Sequence, residues 1–216
     1  DISSDLVAAS ACNYYEGVTQ AEAEVFYDAM KVPGDETPIS YGLNSKLVKE
    51  DGRLVEETYR IGGLYGEAIG RIIYWLEKAA TVAETDKQQE ALQVLIEYYR
   101  TGDLELWDRY NVMWVEELSA EVDYVNGFIE VYGDPLGMKA SWESVVNFKD
   151  NEATKRTELI SENAQWFEDN SPVDPRFKKE EVKGVTAKVI TVAQLGGDCH
   201  PSTPIGINLP NADWIR

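Results

Sequence analysis

Apolar positions along this chain fall into two rhythms. Leu64, Ala68, Ile69, Ile72, Ile73, Leu76 and Ala80 recur three and four residues apart, which predicts an amphipathic helix over "LYGEAIGRIIYWLEKAATVA". Leu92, Leu95, Ile96 and Tyr99 mark the core face of a second helix, with Asp86 near its start and Gly102 as its stop. Asp103 can cap a third, in which Leu104, Trp107, Trp114 and Leu118 look inward; the short links favour antiparallel packing. Before these, two helices are expected between Ser3 and about Lys31, broken at Gly17 and with Thr19 as an N-cap. "VPGDETPISYGLNSKLVKEDGR" reads as a loop that runs over the surface or lines a cleft.

At "VDYVNGFIEVYG" the period drops from about 3.6 to 2, the signature of a strand. Val125, Gly127, Ile129 and Val131 take one face, a core. Tyr124, Asn126, Phe128, Glu130 and Tyr132 take the other, and this mixture of rings and hydrogen-bonding groups suits a ligand groove. Half-exposed strands also carry such mixtures, so a purely structural Glu130 beside Tyr132 is the competing reading. A helix from about Asn151 to Glu168, with Ile160, Ala164 and Phe167 on one side, is followed by a proline-containing loop and a strand over "VTAKVITVAQL". "GGDCHPSTPIG" is irregular, and the chain closes on "INLPNADWIR". The fold class predicted is α+β, predominantly helical, with a small β-sheet.

Charge changes the picture. The 216 residues carry 39 acids against 20 bases, a formal −19, with no Lys/Arg cluster to hold phosphates, so nucleic acid is not an expected partner. Such acidity keeps a surface soluble and self-repelling; it also attracts cations such as peptide amino termini. No apolar run has the length of a membrane span, and the start, "DISSDLVAAS", lacks the form of a signal peptide. The expectation is a soluble cytoplasmic protein, with export of a processed bacterial protein as the alternative.

Candidate chemistry is restricted by a single histidine. His200 adjoins Asp198 and Cys199, but neighbours in an irregular segment seldom converge on one ion, so the trio reads as a polar loop and no metal site is expected. Cys12 and Cys199 form no CxxC, no G-x-S-x-G surrounds a serine, and the glycines of "RIGGLYGEAIG" are wrongly spaced for a phosphate loop.

"NGFIEVYGDPLG" and "PIGINLPNADWIR", with "EATKRTELISENAQWFEDNSPVDPRFKKEEVKGV" between them, resemble the dipeptidyl peptidase III family of zinc exopeptidases, and "YGLNSKLVK" and "GGLYGEAIGRIIYWLEKA" resemble its bacterial members. The resemblance implies a two-lobed peptidase releasing dipeptides from the amino ends of short peptides. It implies that Glu130 holds the substrate ammonium, that the catalytic Tyr132 donates to the scissile carbonyl as it becomes an oxyanion, and that Asn208 and Asn211 bind the amino-terminal portion. Residues 1–140 and 183–216 would belong to the substrate-binding lobe and 141–182 would reach the metal-bearing lobe. The family's zinc motifs lie beyond the G-I-N-x-P-N stretch, so this chain is expected to hold no zinc, to be cut after residue 216, and to have the remainder of its own chain as partner. Gly133 and Lys139 stand where eukaryotic members usually have arginines, and Ala212-Asp213-Trp214 replaces a Tyr-Asp-Asp. The rival reading is a non-catalytic peptide-binding or scaffold protein.

Overall fold

A computed structural model describes residues 5–182, 188–202 and 204–215. The chain opens on one helical turn, α1 (Leu6–Ala9), whose N-cap Asp5 accepts from the Ala8 amide. The first expected helix goes no further, because Tyr15–Glu16 forms β1 and Gly17 turns at φ +67°. Thr19 then caps α2 (Gln20–Asp28) through a reciprocal box with Glu22, which satisfies amides that a helix start leaves without partners.

The segment read as a loop holds the first strand and the turn of a hairpin. Strands β2 (Ser45–Glu50) and β3 (Arg53–Thr58) pair antiparallel with Val48 opposite Val55, and β1 adds to β2 in parallel. Asp51 and Gly52 both take positive φ, 48° and 78°, which is the backbone of a type I′ turn and matches the twist of a hairpin. Behind this sheet lies a small core of Val18, Ala23, Tyr27 and Leu47.

Three helices follow as the periodicity predicts. In α3 (Gly66–Ala80), Ile69, Ile73, Leu76 and Ala80 are buried, although Ala68 is exposed. In α4 (Asp86–Thr101), Leu92, Leu95, Ile96 and Tyr99 are all buried, Thr85 is the cap, and Gly102 ends the helix at φ +77°. Asp103 caps α5 (Leu104–Glu116), which buries Trp107 and Tyr110. Leu118 lies beyond the end of α5 and is 51% exposed, contrary to the inward position expected of it. Helix α4 packs between α3 and α5.

The second sheet is antiparallel throughout: β4 (Val122–Glu130), β5 (Ser141–Lys149) and β6 (Ile190–Gly197), in that order. It shares one core with α3, α4 and α5 through Ile69, Leu95, Tyr99, Trp107, Phe128 and Val145. The face of β4 read as a ligand groove is in fact packed for most of its length. Phe128 lies 5.0 Å from the Tyr59 ring, Tyr124 stacks 6.4 Å from Tyr110, and Asn126 Oδ1 accepts the Tyr99 hydroxyl at 2.6 Å. Phe128 is buried on that face, while Tyr124, Asn126 and Glu130 are partly buried.

The long helix expected after β5 is broken at Asn163 into α6 (Asn151–Glu162) and α7 (Ala164–Asn170). Ile160 and Phe167, placed on one side of that helix by the sequence, are both exposed, and Thr154 is the one residue that α6 buries. The early part of the strand expected over "VTAKVITVAQL" falls partly at 183–187, outside the described residues. The described residues thus form an α+β fold of seven helices and two three-stranded sheets, where the sequence had suggested one.

Candidate peptide-binding site

Strand β4 does not carry Glu130 and Tyr132 as one alternating pair. Its register shifts between Phe128 and Glu130, the strand stops at Glu130, and Tyr132 stands in the turn beyond, 76% exposed. The two side chains still meet. Desolvation first, and then the Glu130 carboxylate with Glu143 and Asp198 behind it, hold the Tyr132 phenol well above its ordinary pKa, so it remains a proton donor.

Glu143 comes from β5 and Asp198 from the turn after β6, and neither was expected at this site. Glu143 lies on β5 opposite Gly127 and Gly197 and is 6% exposed. Burial raises its carboxyl pKa, and the charges of Glu130 and Asp198 add to that, while the Cys199 thiol donates to its Oε2 at 3.1 Å and works the other way. Asp198 follows β6 and accepts the Ser141 hydroxyl at 3.1 Å; that hydroxyl also reaches the Glu130 main-chain oxygen at 3.3 Å. Three carboxylates from three strand ends therefore share one patch. Among the described residues none of them forms an ion pair. An unbalanced patch of this kind, with a neutral phenol at its rim, is suited to receive an ammonium group.

The closing segment runs beside this strand end. Ile207 and Leu209 pack on the main core and Pro210 is buried, which lays the segment along β4 in an irregular path with no helix. Asn211 Nδ2 donates to the Ile129 carbonyl. Asn208 is exposed, three residues earlier on the same segment. Beneath Asn211 is a cavity of about 50 Å³, walled by Trp107, Trp114, Ile129 and Leu209 with Asp108 at its edge. Burial and then the Glu105 charge push the Asp108 carboxyl up to about 6.

A metal centre does not fit these residues. Cys199 is buried while Asp198 and His200 on either side are exposed, and no three His, Cys, Asp or Glu side chains among the described residues are grouped to hold an ion. Nor is any helix among the described residues long and apolar enough to cross a membrane.

Residues 43–216 match the family model described as peptidase family M49. This chain is a member of that family. It is 29% identical to dipeptidyl peptidase 3 of Dictyostelium discoideum over 164 residues, which covers 73% of this chain and 23% of that protein. Against dipeptidyl peptidase 3 of Homo sapiens the identity is 26% over 198 residues, covering 90% and 26%. The M49 chain thus spans about a quarter of the length of these relatives. Its fold is similar to dipeptidyl-peptidase III from Corallococcus sp. strain EGB, with TM-score 0.72, 24% identity and coverage of 94% and 37%. The corresponding structure from Caldithrix abyssi gives 0.74, 24%, 93% and 37%.

Within this M49 chain the site reading from sequence named Glu130, Tyr132, Asn208 and Asn211, and the structure gathers Glu130, Tyr132 and Asn211 near one strand end. The sequence reading missed Glu143 and Asp198 because β5 was not recognised. "SWESVVNFK" does alternate, but polar residues fall on both of its faces and hide the period.

Proposed function

We propose that the parent of this chain is a dipeptidyl peptidase acting at the amino ends of short peptides, and that this chain supplies the cleft that grips the substrate. The observation that carries the reading is the convergence of Glu130, Glu143 and Asp198, unpaired with any cation among the described residues, beside Tyr132. The substrate ammonium donates to the Glu130 carboxylate, while the two acids behind it deepen the negative field. Asn211 and Asn208 offer amide groups to the backbone of the first residues. Fixing the ammonium makes Glu130 a ruler, which presents the second peptide bond and no other. There the Tyr132 hydroxyl donates to the carbonyl oxygen as charge develops on it, a contact that strengthens in the transition state. The catalytic zinc that the family resemblance implies would be held by residues outside this chain.

Two substitutions in the parent test the assignment. Tyr132→Phe is expected to lower kcat by about 100- to 1,000-fold with a smaller change in KM, the scale of losing one oxyanion donor. Glu130→Gln is expected to raise KM and to weaken discrimination between free and acetylated tetrapeptides. Unchanged kcat in the first, or full discrimination in the second, would remove the assigned role. Peptide binding without any turnover in the unaltered parent would favour a scaffold.

A further inference from the structure

The Tyr132 side chain is largely exposed, so the loop that carries it must set where its hydroxyl stands. That loop, 131–140, is wound around one carboxylate. Asp134 is 5% exposed; its Oδ2 accepts from the amides of Met138 and Lys139 and from the Tyr15 hydroxyl, each at 2.9 Å, and its Oδ1 accepts from the Leu136 amide at 3.2 Å. Its own amide closes the turn on the Val131 carbonyl at 3.0 Å. Four donors on one buried carboxylate fix the path of the loop from Asp134 to Lys139, and the amide bond to Val131 carries that fixed path back across Tyr132.

A second buried charge anchors the far end. Lys139 is fully enclosed, and its Nζ donates to the Tyr27 hydroxyl at 2.6 Å and to the Ser45 carbonyl at 2.9 Å. Tyr15 and Ser45 lie on β1 and β2, so both anchors belong to the other sheet. A connection between two strands needs neither of these charges, and burying them is costly. What they add over an apolar plug is direction, because hydrogen bonds specify orientation as well as distance.

We propose that Asp134, partnered by Tyr15, is a positioning residue that holds the β4–β5 loop so that the Tyr132 hydroxyl faces the carbonyl oxygen beside Glu130. The inference rests on the role given to Tyr132 under Proposed function. Asp134 touches no substrate; it acts through the backbone it gathers.

A double-mutant cycle in the full-length parent tests it. Asp134→Asn and Tyr15→Phe are each made alone and on the Tyr132→Phe background. Alone, Asp134→Asn is expected to lower kcat by about 10- to 100-fold, the cost of a misplaced group, with KM changed by less than about threefold. Tyr15→Phe removes one hydroxyl and shifts kcat the same way by less. On the Tyr132→Phe background each cost shrinks to under about twofold, because the group being placed is gone. An equal kcat loss in both backgrounds would show that Asp134 serves only the fold and would overturn the inference, as would unchanged kcat in both single variants. If Asp134→Asn fails to fold, the Tyr15→Phe cycle decides by the same criterion. A silent Tyr132→Phe would overturn the reading of Tyr132 itself and this inference with it, whereas a damaging Tyr132→Phe uncoupled from Asp134 and Tyr15 overturns this inference alone.

Discussion

Asn211 Nδ2 donates to the main-chain carbonyl of Ile129 at 3.3 Å, and Ile129 immediately precedes Glu130. The bond fastens the closing segment to the end of β4, at the point where the strand register shifts. Asn211→Ala removes this tie along with an amide offered to substrate. In the parent it is expected to raise KM for tetrapeptides more than it lowers kcat, and to cost about 0.5–1.5 kcal/mol of stability, the net worth of one such bond. Chemical denaturation and steady-state kinetics measure the two effects separately; an unchanged KM would disconnect Asn211 from the substrate.

Gly127 sits against the edge of a tryptophan. A Cβ added there would meet Trp107 Cη2 at 2.3 Å, so either the ring or the strand must move. Gly127→Ala is expected to destabilise by about 1–3 kcal/mol, the range for overpacking a filled core. Trimming the ring in Trp107→Leu should make the added methyl nearly free. Thermal unfolding of both singles and the double checks this, and additive costs would contradict it.

Asp108 predicts a pH dependence. Its carboxyl is held at about 6, against an ordinary value of 3.8, chiefly by burial. Between those values the folded chain binds more protons than the unfolded one, so stability is lost as pH rises through the window. Asn at this position never ionises. Asp108→Asn should therefore raise the unfolding temperature above pH 7, by an amount equivalent to at most about 3 kcal/mol, with the gain fading as pH falls to about 4. A gain that is the same at both ends would point to packing instead.

The helices were legible because their signals are local: Thr19, Asp103 and Gly102 act within one turn, and Leu92, Leu95, Ile96 and Tyr99 repeat on one face. The β2–β3 hairpin was hidden because its one clear signal, Asp51-Gly52, follows a stretch rich in proline and glycine. Glu130 and Tyr132 could be named from the motif they share with the family, yet their geometry could not, because a register shift replaces simple alternation. Glu143 and Asp198 join the site only through pairing between strands distant in sequence, which no window along the chain contains.

Helices α6 and α7 carry apolar side chains left uncovered by the described residues. Leu159, Ile160, Trp166, Phe167 and nearby Phe177 are all at least half exposed. A patch of that character marks a contact surface, and the expected cover is the remainder of the parent chain. Ile160→Glu with Phe167→Glu should reduce hydrophobic-dye binding and self-association of this chain while leaving its unfolding temperature within about 1 °C, since surface changes rarely exceed a few tenths of a kcal/mol. In the parent the same pair should be clearly destabilising. Equal effects in both proteins would mean that the patch has no intramolecular partner.

Cys199 offers a natural clock. Its thiol is buried, donates to Glu143, and is pushed up to about 12 by desolvation and then by the neighbouring acids. Since only the thiolate reacts, alkylation at neutral pH must wait until the turn after β6 lifts away from β5. Cys12, less enclosed, supplies an internal reference. The ratio of the two labelling rates then times the opening of the carboxylate patch, and a peptide bound there should slow that clock.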